Sequence, residues 1–90
     1  MRNYHEKLVN AKRDSRIGNH SVEHFNNTRY FYYHGHNVCI VDDQKKTYEL
    51  SFCGWYTRST KDCLAGYREY FSSRGYTQLN PITIYNYEER

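Results

Sequence analysis

No stretch of this sequence approaches the roughly 18 consecutive apolar residues that a bilayer-spanning helix needs. The first residues hold no apolar run of the kind a secretory leader carries. Cysteine is sparse and odd in number: Cys39, Cys53 and Cys63. Without a secretory leader, such an odd set is expected to remain as reduced thiols in the cytoplasm of a host cell. Internal repeats and low-complexity tracts are also missing. Large aliphatic side chains are scarce, so each of Ile40, Leu50, Leu64, Ile82 and Ile84 should matter to a core. Together these absences argue against a helical membrane protein and against a disulfide-stapled secreted scaffold.

What is present is aromatic. The 90 residues include eleven Tyr, four Phe and one Trp, with hydrophobic residues at 38%. A core built from them must be ring-rich, with Tyr hydroxyls reaching water or partners at its margin. The length suits one domain. A chain this short buries only about 60–65% of its unfolded surface, which makes for modest stability. The net charge is +3, unevenly spread. Residues 1–18 carry five basic and two acidic side chains, 19–54 three and four, and 55–90 five and four. This mild excess permits nucleic-acid or acidic-protein partners without requiring either.

Along the chain, Tyr4, Leu8 and Ala11 recur at helical spacing within residues 3–13, giving a thin amphipathic helix that is marginal alone. Residues 14–28 are polar, with Gly18, Asn19, Asn26 and Asn27, and suggest a linker with a single turn around 22–25. From Arg29 the pattern tightens. Arg29, Tyr30, Phe31, Tyr32 and Tyr33 form a β-favouring run. His34, Gly35, His36 and Asn37 supply a turn, and residues 38–41 form a second apolar run. After a turn at 42–45, Tyr48, Leu50 and Phe52 alternate with Thr47, Glu49 and Ser51, the period of a half-buried strand. Gly54 permits a bend. Ser59 with Asp62 resembles a capping box, and Cys63, Leu64, Tyr67, Tyr70 and Phe71 mark the apolar stripe of a helix ending near Ser73, with Gly75 as its C′ residue. Residues 76–79 suit a short strand. Pro81 cannot donate to a ladder, so this stretch is edge or irregular; the alternation at 82–87 allows an added edge strand, and 88–90 should fray.

The expected fold is therefore α+β: a three-stranded antiparallel sheet packed by one C-terminal helix, in β-β-β-α order with room for an extra edge strand, and a short N-terminal helix. Its parts are residues 1–28 (N-terminal helix and linker), 29–87 (the β-β-β-α domain) and 88–90 (tail).

Four constellations bear on chemistry. Thr57, Arg58, Ser59, Thr60 and Lys61, with Trp55, surround a helix start where free N–H groups favour anions; plain capping, with solvated cations, is the commoner meaning of such residues. His20, His24, His34 and His36 with Cys39 match no zinc spacing, so no metal is expected and exposed turn histidines account for them better. A Cys–His pair is the one candidate nucleophile, but nothing marks an activating environment, and free Cys is usually a buried hydrophobe. No cofactor and no catalytic residues are expected. Last, two of the rings at 30–33 must face away from the other two. A bare sheet face bearing them would suit base stacking or a protein interface; cover by the N-terminal segment or the C-terminal strand is the alternative.

The stretch from Leu50 through Phe52, Gly54, Trp55, Thr57, Arg58, Ser59, Thr60 and Lys61, then Leu64 and the helix to Gly75, resembles small proteins of bacteriophages and other mobile elements. They share an alternating strand, a Gly-Trp or Gly-aromatic step, a Thr/Ser-rich turn with Arg or Lys, and a short helix. The resemblance covers about a third of the chain and implies a phage origin and the β-β-β-α core, but no established activity. The resulting expectation is a non-catalytic accessory protein. It would bind and inhibit or redirect a host protein, such as a nucleic-acid-handling defence complex, in the manner of anti-CRISPR proteins. The alternative is direct DNA or RNA binding. The contact residues expected are Arg29, Tyr30, Tyr32, Lys45, Lys46, Trp55, Thr57, Arg58 and Lys61. No membrane partner is expected, and a homodimer through the aromatic face is a further use of that surface.

Overall fold

The computed structural model describes residues 1–80. Helix α1 (Asn3–Val9) is followed by strands β1 (Ser15–Ile17), β2 (His20–Phe25), β3 (Thr28–Tyr33), β4 (His36–Asp42) and β5 (Thr47–Leu50). Then come helix α2 (Arg58–Ser73) and strand β6 (Thr77–Gln78). The α+β class holds, but the sheet is larger than three strands. Among the described residues it has six, in the order β1-β2-β3-β4-β5-β6, antiparallel except where β6 runs parallel to β5. The expected linker at 14–28 is in fact mostly hairpin. Its glycine and asparagines are turn residues: Ile17 pairs with His20 and Phe25 with Thr28, leaving two-residue loops. Gly18 and Asn26 take positive φ there. The expected strand over 82–87 and the tail 88–90 lie outside the described residues.

The β3–β4 hairpin turns through His34 and Gly35, with φ of 52° and 79°. Two successive positive φ values match a type I′ turn, whose twist suits a two-residue hairpin. A β-bulge follows. Phe31 pairs with Cys39 but Tyr32 pairs with Asn37, so Val38 is an extra residue. Val38 and Cys39 are consequently both buried, where strict alternation would have turned one of them outward.

Both helices lie on one face of the sheet. The rows Val22–Phe31–Cys39–Leu50 and Arg29–Val41–Tyr48 point toward them. Helix α2 buries Cys63, Leu64, Tyr67 and Phe71 of the stripe expected from its periodicity, leaves Tyr70 half-buried at the edge, and adds Thr60 and Gly66. Tyr67 packs against Phe31 and Phe71 against Tyr48, with ring centroids 4.6 and 5.8 Å apart. Burying each such side chain contributes about 1.5–3 kcal/mol.

The helix start differs from expectation by two residues. Thr57, not Ser59, is the N-cap: its backbone is extended and its Oγ1 accepts from the Thr60 N–H at 3.2 Å. Ser59 instead accepts from the Tyr33 hydroxyl at 3.0 Å, and Asp62 pairs with Arg2 at 3.1 Å. At the other end, Gly75 has φ 87°. Its N–H reaches the Ser72 carbonyl, and the Tyr76 N–H reaches that of Phe71. With the Phe71 and Tyr76 rings in contact at 5.1 Å, this is a Schellman motif with its hydrophobic clasp.

Helix α1 is only seven residues long, too short to persist alone. Two side chains tie it down. His5 is fully buried; its Nδ1 accepts from the Arg2 N–H at 3.1 Å and its Nε2 donates to the Cys63 carbonyl at 2.8 Å. At the other end, Arg29 donates to the Val9 carbonyl at 2.8 Å, the favourable site for a cation on a helix.

Candidate functional site

The turn from β5 into α2 builds the most distinctive corner of the surface. Cys53 and Gly54 both take left-handed φ, 55° and 80°, and the Trp55 N–H closes the turn onto the Phe52 carbonyl at 2.8 Å. Phe52 drops into the core while the chain throws Trp55 and Tyr56 outward, 54% and 58% exposed. Tyr56 rests on Phe52, centroids 5.2 Å apart, and Trp55 lies beside His36 at 5.5 Å. Between the Trp55 and Phe52 rings and the β3–β4 hairpin opens a hollow of about 250 Å³. Val38, Phe52 and Thr60 are its buried lining; Trp55, Tyr33, His34 and His36 contribute to its walls. A chain of hydroxyls, Tyr33 to Ser59 to Thr57, runs along one side at 3.0 and 3.2 Å. The arrangement can take up one large apolar side chain and offer hydroxyls to whatever polar group accompanies it.

Beyond the Tyr33–Ser59 bridge lies a smaller hollow of about 210 Å³, bordered by Arg2, Tyr4, His20 and Asp62. Tyr4, His20 and Tyr33 form a continuous ring stack there, with centroid spacings of 3.5 and 4.6 Å. His20 also brings Nδ1 to 3.9 Å from Cys63 Sγ, the layout of a Cys–His dyad. The electrostatics are wrong for one. Burial, helped by His5 and His34, lowers the His20 pKa to about 4, and burial raises that of Cys63 to about 12. Both groups are held neutral, whereas a nucleophilic dyad needs thiolate beside imidazolium. Cys39 is fully buried, and burial raises its thiol well above the usual range.

The expected contact residues separate into distinct places. Arg29 turns inward. Its guanidinium forks onto Asp43 at 2.8 and 2.7 Å, its side chain is 14% exposed, and it lies 5.3 Å from the Phe71 ring centroid. Burial opposes the Asp43 charge, but hydrogen bonds from Arg29 and Tyr76 more than offset it and leave the carboxyl below its ordinary pKa. Arg29 is thus a structural rivet joining α1, β3 and the β4–β5 turn. Lys45 is exposed on that turn; Lys46 lies over the Tyr76 ring at 5.0 Å. Thr57 is engaged as the cap, Arg58 is exposed, and Lys61 is half-buried. Of the set, Trp55 and Thr57 line the hollow, and Trp55 is 54% exposed there. The histidines divide likewise. His34 and His36 are exposed at a turn, as expected, but His20 and His24 are half-buried strand residues on the helix-bearing face. Tyr56, Phe52 and Val38 were missed as site residues. Val38 reaches the hollow only because of the bulge, which no residue spacing announced.

Tyr30 and Tyr32 occupy the opposite sheet face, away from both helices. Tyr30 sits in the cross-strand row Glu23–Tyr30–Ile40–Glu49, and the Tyr32 hydroxyl donates to Glu23 at 3.3 Å. Among the described residues neither helix covers this face, so α1 does not supply the alternative of cover by the N-terminal segment, and the C-terminal strand of that alternative lies outside the described residues. No cluster of His, Cys, Asp or Glu among the described residues could hold a metal ion, and no helix there is long and apolar enough to cross a membrane. Comparison with known proteins adds nothing to these contacts: no family model, curated protein or solved structure matches the chain.

Proposed function

We propose that this chain is a binding protein without chemistry of its own, and that it engages a protein partner through the Trp55–Tyr56 corner. The observation that carries this reading is the pairing of two exposed aromatic rings with an adjoining apolar hollow of about 250 Å³. Binding energy at protein interfaces concentrates in Trp and Tyr residues that meet a desolvated pocket, and an exposed apolar patch on a small domain marks such a contact. The hollow's walls belong to a tight hairpin and a capped helix, so little order need be gained on binding.

The resemblance to phage proteins makes the partner a host protein, with a nucleic-acid-handling defence complex as the target that binding would inhibit or redirect. Direct DNA or RNA binding is the weaker reading. Its strongest residues were the sheet-face tyrosines and Arg29, and Tyr30 stands in a row with Glu23 and Glu49 while Arg29 is engaged by Asp43. Phosphates are repelled by such a row.

The test is affinity capture from a nuclease-treated bacterial lysate at low and moderate salt, with the wild-type chain and Trp55→Ala side by side. A stoichiometric protein retained by the first and lost by the second supports the reading. Recovery of no such protein, or of nucleic acid alone from an untreated lysate, contradicts it.

A further inference from the structure

We infer that the outer sheet face around Tyr30 and Tyr32 is a second docking surface, built for an arginine-bearing segment of a basic protein. This inference does not rest on the Trp55 corner, which lies at the junction of β5 and α2.

The face is apolar in its middle and acidic at its margins. One row runs Glu23, Tyr30, Ile40, Glu49 across β2 to β5. Tyr32 stands beside it, and Phe25, in the next row, is 67% exposed. Adjacent strands are about 4.8 Å apart, so the two glutamates stand about 14 Å apart with Tyr30 and Ile40 between them. Among the described residues neither glutamate forms an ion pair. The other charges in this face's register are already engaged. Arg16 donates to the Gly18 carbonyl in its own turn, and Asp42 accepts the N–H groups of Gln44 and Lys45.

Charge complementarity chooses the occupant. A guanidinium lies flat on a tyrosine ring and forks onto a carboxylate at its edge, and Glu23 beside Tyr30 and Tyr32 presents both elements. A lysine ammonium satisfies the charge but neither the stacking nor the fork. A nucleic acid brings phosphates against Glu23 and Glu49. A second copy of the chain, docked symmetrically, sets this acidic row against itself.

The test is a titration of the full chain, followed by amide NMR, with nonaarginine, nonalysine and a single-stranded oligothymidine, alongside sedimentation of the chain alone. Nonaarginine should shift Tyr30, Tyr32 and Ile40 amides and bind roughly fivefold tighter than nonalysine, equivalent to about 1 kcal/mol. Glu23→Gln and Tyr30→Leu should each weaken it by about fivefold, while Trp55→Ala leaves it unchanged. Equal binding of the two peptides, indifference to Tyr30→Leu, shifts centred elsewhere, oligothymidine bound at this face, or a dimer abolished by Tyr32→Glu would each overturn the inference.

Discussion

A Cβ on Gly66 would strike the imidazole ring of His5, nearer than side-chain packing allows. This one close approach lets α1 lie against α2, and it accounts for a glycine in the middle of a sixteen-residue helix. Gly66→Ala should therefore destabilise the protein by about 2–4 kcal/mol through overpacking. At an exposed helical site the same change would gain up to about 1 kcal/mol. Urea denaturation measures the sign directly. The double variant Gly66→Ala with His5→Ala should recover part of the loss, since the ring that the methyl strikes is gone.

His5 and His20 make the fold sensitive to mild acid. The Arg2 N–H can only donate and the Cys63 carbonyl can only accept, so His5 is held as the neutral Nε2–H tautomer. Burial lowers its pKa, with Arg2 and the N-terminal ammonium adding to the effect. His20 is enclosed by Tyr4 of α1, Tyr33 of β3, Cys63 of α2 and the nearby His34, and titrates at about 4 instead of 6.5. The unfolded chain thus binds protons that the folded chain refuses. Stability is whole above about pH 7 and falls as pH drops from 6.5 toward 4, by an amount of the order of 2 kcal/mol for His20. Thermal melts across this range should show the fall, and His20→Phe should flatten it between pH 5 and 6.5, above the usual carboxylate range.

Arg29 holds three elements together, so its loss should cost more than a surface ion pair. Arg29→Met keeps the packing on Phe31 and Phe71 but strands Asp43 and the Val9 carbonyl. A cost of about 3 kcal/mol is expected, as for other broken, largely buried pairs. Adding Asp43→Asn should restore part of it, and protection of the α1 amides from hydrogen exchange should fall in the single variant.

Tyr67 is buried with a hydroxyl that has no hydrogen-bond partner among the described residues. Its ring is required by His5 and Phe31, 4.7 and 4.6 Å away, but the oxygen is not. Tyr67→Phe should leave stability unchanged or raise it by about 1 kcal/mol. A substantial loss in denaturation midpoint would mean that the hydroxyl has a partner, such as a buried water.

The strand β5 and the stripe of α2 were legible in the sequence because their periods are strong and their inward residues are apolar. The hairpin β1–β2 was not, because its inward positions are mixed. His20, Val22 and His24 all face the helices, and only Val22 is strongly apolar. The histidines reach that face by ring stacking and by hydrogen bonds to Asp14 and the Ala11 carbonyl, which hydropathy does not register. Arg29 misled for the same reason: a strand arginine looks solvated until Asp43, Val9 and Phe71 are brought around it by the fold. The Trp55 corner was half legible. The Gly-Trp step and the hydroxyl-rich helix start pointed to it, while the hollow beside it depends on the bulge at Val38 and the turn at Cys53.

Trp55 is the only tryptophan in the sequence, so one label reports on the proposed contact alone. With fluorotryptophan incorporated, fluorine NMR gives a single resonance from a ring that is 54% exposed. On addition of the captured host protein, that resonance should shift and lose its sensitivity to solvent deuteration, and Tyr56→Ala should weaken the complex at least tenfold without lowering the melting temperature. A resonance that stays at its free position and stays solvent-sensitive in the saturated complex would contradict the assignment of the Trp55–Tyr56 corner as the binding site.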